Sequence, residues 1–345
     1  MKKMRRVITA FLLHAVCLAS NAEVGLVEWP ESEAAGPVTV FFPTDAAEQD
    51  VKRGEVSLRV AVDAAPIKGN GALVVISHGS SASPWVYLDI ARALVRAGFV
   101  VALPEHYQDN DKNGWEPGPA SWKRRPLEVS KAIDAVSKNP TFSPLLQFDR
   151  VGMYGMSAGG HTALSLAGGR WSPARFKQHC QANMVEDFQT CVGLITRLTN
   201  GPLDGMKVAV ASWVIGLRFS DETWYEHSDP RIKAVVAGVP LAADFDLASL
   251  SHPKVKLGII SVQKDRWLIP KFHSDAVLKA CRSCESLVHL ENAGHGALLS
   301  PLPHNLSGLA EDLISDPPGF NRAQTTRTVN DLIVGFLIKN LEVAR

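Results

Sequence analysis

Val151-Gly152-Met153-Tyr154-Gly155-Met156-Ser157-Ala158-Gly159-Gly160 reads as an apolar strand that breaks into Gly-x-Ser-x-Gly. Beyond it, Ala163, Leu164, Leu166 and Ala167 continue as an apolar helical face. This is the sequence form of a nucleophile elbow, a sharp strand-to-helix turn that leaves a serine hydroxyl exposed. The glycines on either side remove the Cβ atoms that would clash in so tight a bend. Ser157 is therefore the candidate nucleophile.

Outward from the elbow, apolar strands alternate with helices. Pro37–Phe42 and Val56–Val62 read as early strands joined by a polar turn around Glu48–Arg53. Leu73–Ser77 is a continuous apolar strand followed by the small-residue loop His78-Gly79-Ser80-Ser81. Trp85–Ala97 has helical spacing and stops at Gly98; Phe99–Leu103 is a strand, Glu105–Trp122 a polar loop and Pro126–Ser137 a helix. Later come strands Ile232–Val239, Val255–Val262 and Leu287–Leu290, with helices Ser274–Ala280 and Thr325–Leu341. Such alternation implies a mostly parallel central sheet flanked by helices on both faces. In such sheets reactive groups gather beyond the carboxyl ends of the strands. The stretch from Arg170 to Asp229, with Trp213, Phe219, Trp224 and Tyr225, is too long for a structureless loop. It reads as a helical cap over the site, with a peripheral packing insertion as the alternative.

A serine hydroxyl needs a base to take its proton, and the base needs a carboxylate to fix its tautomer. In an elbow enzyme the chain order is serine, acid, histidine. Asp265 follows the strand ending at Val262, and His295 follows the strand ending at Leu290. Asp244 and Asp246, after Val239, are the alternative acids; His161, His273 and His289 are read as structural or exposed. The developing oxyanion needs two backbone donors. Ala158, next after the nucleophile, and Ser80, in the loop after Leu73–Ser77, are placed to supply them, with His78 supporting that loop. Trp85 is a candidate lining residue for an acyl pocket or an ordinary packing aromatic.

At the N-terminus, Lys2, Lys3, Arg5 and Arg6 precede an apolar run, Val7–Leu18, and Ser20-Asn21-Ala22. Together they read as a secretory signal peptide over residues 1–22, cut after Ala22, which predicts a periplasmic or secreted protein. The run is short for a membrane anchor, Cys17 sits in a poor lipoprotein box, and no later segment is long and apolar enough to span a bilayer. Lysine plus arginine number 36 against 35 acids, so the chain carries no electrostatic footprint for nucleic acid or an anionic surface. Cys180, Cys191, Cys281 and Cys284 allow three pairings, and proximity favours Cys180–Cys191 and Cys281–Cys284. Cys281-x-x-Cys284 lacks a second Cys/His pair at metal spacing and is read as structural.

With these residues in place the chain resembles the α/β-hydrolases. Within them it is similar to exported dienelactone-hydrolase-like serine esterases related to platelet-activating-factor acetylhydrolases and polyester hydrolases. The resemblance rests on Val75–Ser80, Gly98–His106, Arg125-Pro126-Leu127, Gly155–Gly160, Asp229–Val236, Asp265 and Gly294-His295. It implies one α/β-hydrolase domain over residues 23–345, with a cap-like insertion at about 170–229. It also implies ester hydrolysis without metal or organic cofactor. Dienelactone hydrolases place cysteine at the elbow, so Ser157 carries over no lactone specificity. A lipase or phospholipase acting on lipid esters is the alternative enzyme, and a non-catalytic binding protein on a hydrolase scaffold the alternative of another class.

Overall fold

The computed structural model describes residues 22–343 apart from position 34. The expected signal peptide lies outside the described residues but for its last position. The strands, in chain order, are β1 (Glu23–Trp29), β2 (Val38–Thr44), β3 (Gln49–Arg53), β4 (Val56–Val62), β5 (Leu73–Ser77) and β6 (Val100–Pro104). They continue as β7 (Val151–Met156), β8 (Arg170–Trp171), β9 (Ile232–Gly238), β10 (Phe245–Asp246), β11 (Lys256–Val262) and β12 (Glu285–Leu290). The helices are α1 (Leu88–Arg96), α2 (Pro119–Lys138), α3 (Ala158–Leu166), α4 (Pro173–Asn183), α5 (Phe188–Val192), α6 (Asp204–Arg218), α7 (Ser274–Ala280), α8 (Gly308–Ile314) and α9 (Arg322–Leu341).

Among the described residues, ten strands form one mostly parallel sheet in the order β12-β11-β9-β7-β5-β6-β2-β1-β4-β3. Every neighbour from β12 to β6 is parallel. Beyond β6, the β2 and β1 pairings are antiparallel, β4 runs parallel to β1, and β3 closes the edge antiparallel to β4. All residues of β5, β6 and β7 are buried, which is the signature of strands covered on both faces. The period of two sorts them. Leu73 and Val75 join the core formed with Val129 and Ile133 of α2 and Leu164 of α3. Val74 and Ile76 join the opposite core with Leu94 of α1 and Ile333 and Leu337 of α9. The carboxyl ends of β5, β7, β11 and β12 therefore emerge between two helical layers, where the loops that follow can meet.

Besides the short strands β8 and β10 and helix α8, which the sequence reading did not assign, three elements differ from it. The polar turn expected at Glu48–Arg53 is largely strand β3, paired with β4 through a tight turn at Gly54, whose φ is +56°. Its side chains are mostly exposed because it is a sheet edge, so it lacks the apolar pattern of a core strand. β1 is also additional, with Val24, Gly25 and Leu26 buried against β2. Finally, α2 starts at Pro119 in its first turn and carries Pro126 internally, so the second proline is not the helix start.

Both proximal cysteine pairs are disulfides. Cys180–Cys191 joins α4 to α5 and Cys281–Cys284 closes a turn after α7, with Cα separations of 5.8 and 5.6 Å. No helix among the described residues is long and apolar enough to cross a membrane. Cys180 is fully buried and Cys191 nearly so, both within the main core. Replacing both by alanine is expected to lower unfolding stability by roughly 2–4 kcal/mol, read as a lower urea midpoint, with dithiothreitol, which also opens Cys281–Cys284, producing at least that shift in the native chain.

Candidate active site

Ser157 sits between β7 and α3 with φ +59° and ψ −118°, a conformation costly for any residue with a Cβ. Surrounding backbone enforces it. A Cβ on Gly155 would lie 2.0 Å from the Gly159 oxygen, and one on Gly159 would lie 1.9 Å from the Ser77 oxygen. The first turn of α3 thus packs directly on the end of β5. The Ser157 amide donates to the Gly238 carbonyl at 3.0 Å, and its carbonyl accepts from His161 and Leu241 at 3.0 and 3.2 Å. The serine's backbone is held on every side while its residue surface stays half-buried.

The structure brings Ser157, His295 and Asp265 into one hydrogen-bonded chain. His295 Nε2 lies 3.0 Å from Ser157 Oγ, and His295 Nδ1 lies 2.7 Å from Asp265 Oδ2. The other oxygen of Asp265 accepts from the Trp267 and Leu268 amides at 2.8 and 2.9 Å. Those bonds fix the carboxylate's plane in its loop after β11. They favour the tautomer in which His295 Nδ1–H donates to Asp265, leaving Nε2 to accept the serine proton. His295 and Asp265 are both 5% exposed, so the contact is shielded from bulk water.

The alternative acids and histidines go elsewhere. Asp244 meets His161 at 2.9 Å, both fully buried among Trp122, Trp171 and Phe245. Asp246 pairs with Arg170 and caps the short helix Leu247–Leu250. His273 accepts from the Ala242 amide and faces Asp187 and Thr190. His289 is bonded to Ser261 and Glu291 on β12. Trp85 lies in the short helix Pro84–Tyr87, partly buried against the core on the α1 and α9 side.

The loop after β5 lies beside Ser157: a Cβ on Gly79 would be 3.6 Å from that of the serine. Ser80, in this loop, and Ala158, opening α3, therefore flank Ser157 from two directions. Arg125 and Asp109, which the sequence reading did not assign to the site, anchor the loop. Arg125 is wholly buried; it donates to the His78 carbonyl, to the Gly79 carbonyl at 3.4 Å and to Asp109 Oδ2 at 2.9 Å. Asp109 in turn accepts from Ser80 Oγ at 2.6 Å, from the Ser81 amide at 3.1 Å and from Ser121 Oγ at 2.6 Å. A readable signal existed: Arg125 stands in the apolar register Trp122, Val129, Ile133 of α2, where a charge needs a buried partner.

His78 supports this loop as expected, with Nδ1 on the Gly79 carbonyl and Nε2 accepting the His106 amide at 3.3 Å. His106 spans from Ser77 Oγ at 2.8 Å to Glu128 Oε2 at 2.6 Å. Burial, reinforced by the Arg125 charge, holds both imidazoles well below the ordinary histidine range, so both are neutral hydrogen-bonding spacers at neutral pH. Tyr87, whose oxygen accepts the Gly79 amide at 2.8 Å, is pushed up to about 12 by burial and stays protonated. Among the described residues no group of three or more His, Cys, Asp or Glu side chains is arranged to hold a metal ion.

Burial alone would raise the Asp109 carboxyl, but Arg125 and the two serine hydroxyls outweigh it and hold it below the ordinary aspartate range. A lowered folded-state value means that this stabilisation is complete above about pH 4 and is lost as pH falls through the lowered value. Asp109→Asn, which leaves Arg125 buried without its counter-charge, should cost roughly 3–5 kcal/mol at pH 7 in urea unfolding. The difference from the native chain should narrow below about pH 4. Neither a protein-family model nor a curated protein matches this chain.

Proposed function

We propose that this protein is an exported serine hydrolase of the α/β-hydrolase type that cleaves carboxylic esters through an acyl-enzyme. The observation that carries the reading is the Ser157–His295–Asp265 chain, at 3.0 and 2.7 Å, on a serine held at positive φ. Backbone strain of that kind persists only where the surroundings over-determine it, and it concentrates at reactive sites. The two disulfides support an oxidising compartment and hence export.

In this mechanism Ser157 Oγ attacks the ester carbonyl carbon while its proton passes to His295 Nε2. Asp265 stabilises the imidazolium through Nδ1–H. The amides of Ala158 and Ser80 receive the oxyanion, and the Arg125–Asp109 pair keeps the Ser80 loop in register for that role. His295 then gives its proton to the leaving alcohol as the C–O bond breaks. Water attacks the acyl-enzyme with His295 again as base, releasing the carboxylic acid and restoring the Ser157 hydroxyl. The helical excursion α4–α6 acts as a cap at one flank. The hydrogen bond from Thr190 Oγ1 to the Trp267 carbonyl, at 2.8 Å, supports this reading by tying it to the acid loop.

Ser157→Ala is expected to lower kcat/KM for p-nitrophenyl butyrate by roughly 10⁴-fold or more, with unchanged circular dichroism. The native protein should be labelled by a fluorophosphonate probe and the variant should not. Undiminished hydrolysis by the alanine variant, or a folded native protein inert to the probe, would overturn the proposal.

A further inference from the structure

The outer face of α6 carries an apolar seam. Leu203, Met206, Val210, Trp213 and Leu217 recur at alternating three- and four-residue intervals, and each keeps between 54% and 67% of its surface exposed. That is a strict a/d spacing, narrower than the stripe by which a helix seats on a globular core. The inner face is already occupied: Ile215 is buried and Val208 and Ala211 pack on the main core. A surface helix apolar on both sides needs a second partner.

We propose that this face is a homodimer interface, in which α6 packs antiparallel on α6 of a second copy around a two-fold axis level with Ala211 and Ser212. The seam is self-complementary in that register. Met206 comes opposite the partner's Leu217, and Val210 opposite the partner's Trp213. Small residues flank it; an added Cβ at Gly205 or Gly216 would meet nothing within 4 Å, so a neighbouring helix can approach closely. Charge selects the antiparallel arrangement. The charged residues of α6 are Asp204, Lys207 and Arg218, near its ends; Asp204 already holds Lys207 at 2.9 Å, so a parallel pair would set Arg218 against its own copy. The antiparallel pair brings Arg218 to the partner's Asp204 end and aligns the helix dipoles favourably.

A helix partner fits this face better than a lipid surface does. Interfacial helices present a broad apolar face edged with cations, whereas the exposed positions between Lys207 and Arg218 carry none. At 15 residues α6 is about 22 Å long, and two such seams cover on the order of 1,000 Å², the level of a specific interface. The helix is already packed on its inner side, so association does not bear the cost of ordering it.

Sedimentation velocity on the disulfide-intact protein tests this between about 1 and 100 μM. The expected result is a species of twice the chain mass at the upper end, and a Val210→Glu/Trp213→Glu variant with native circular dichroism that sediments as monomer. That variant should weaken the dimer by 100-fold or more. A Leu217→Arg variant provides the same reading should the double substitution prevent folding. A native protein monomeric at 100 μM overturns the proposal. So does a dimer indifferent to these substitutions, or a monomer that instead binds phosphatidylcholine vesicles through this face.

Discussion

The constraint on which this architecture turns is steric: α3 begins so close to β5 and to the end of β7 that no side chain fits between them. Gly155 and Gly159 meet backbone oxygens at distances where a Cβ would stand about 2 Å away. Gly160 does the same against Pro240, at 2.6 Å from its Cα. Because the helix cannot retreat, the residue between strand and helix must turn through positive φ, and that residue is Ser157. One packing contact therefore sets the turn at Ser157, starts α3 at Ala158 and brings the β5 loop alongside.

The β5 loop cannot be held by sterics alone, since it has little side-chain mass. A buried ion pair holds it instead. Arg125 reaches two consecutive loop carbonyls, at His78 and Gly79, while Asp109 takes the Ser80 hydroxyl and the Ser81 amide. Isolated, either charge would be costly in this interior; paired and fully hydrogen-bonded, they form a cross-brace between the loop, the segment after β6 and the start of α2. Neutral His78 and His106 extend that brace to Ser77 and Glu128 without adding charge.

What was legible in the sequence follows the same physics. Continuous apolar strands and the glycine-flanked serine announce themselves, because burial on both faces and a tight bend each restrict residue type. That Asp265 and His295 would come together with Ser157 was readable from chain order and from the strands before them. β3 was not, because an exposed edge strand needs no apolar pattern, and β1 was obscured by its position just past the leader-like segment. Arg125 stood in an apolar register where only its partner explains it, and the partner lies 16 positions away in a segment that reads as polar loop.

The excursion α4–α6 was legible as a helical segment over residues 170–229, and it is bonded to the loop that carries Asp265. The hydroxyl of Thr190, adjacent to Cys191, lies 2.8 Å from both the Trp267 carbonyl and Asp187 Oδ1 and shares its one proton between them, and the Trp267 amide holds Asp265 Oδ1. Asp187, at the other side of Thr190, is bonded to His179 and His273 at 2.7 and 3.2 Å. Burial would raise its carboxyl, but these hydrogen bonds outweigh burial and hold it well below the usual aspartate range. His273 accepts the Ala242 amide at Nδ1, so its Nε2–H points at this cluster, and the loop after β9 joins the same network. The disulfide between Cys180 and Cys191 closes the segment that carries Asp187, so it constrains a cluster beside the loop that carries Asp265. The excursion is thus fastened to the loop that carries Asp265 from its inner side, while the apolar seam on the outer face of α6 stays exposed.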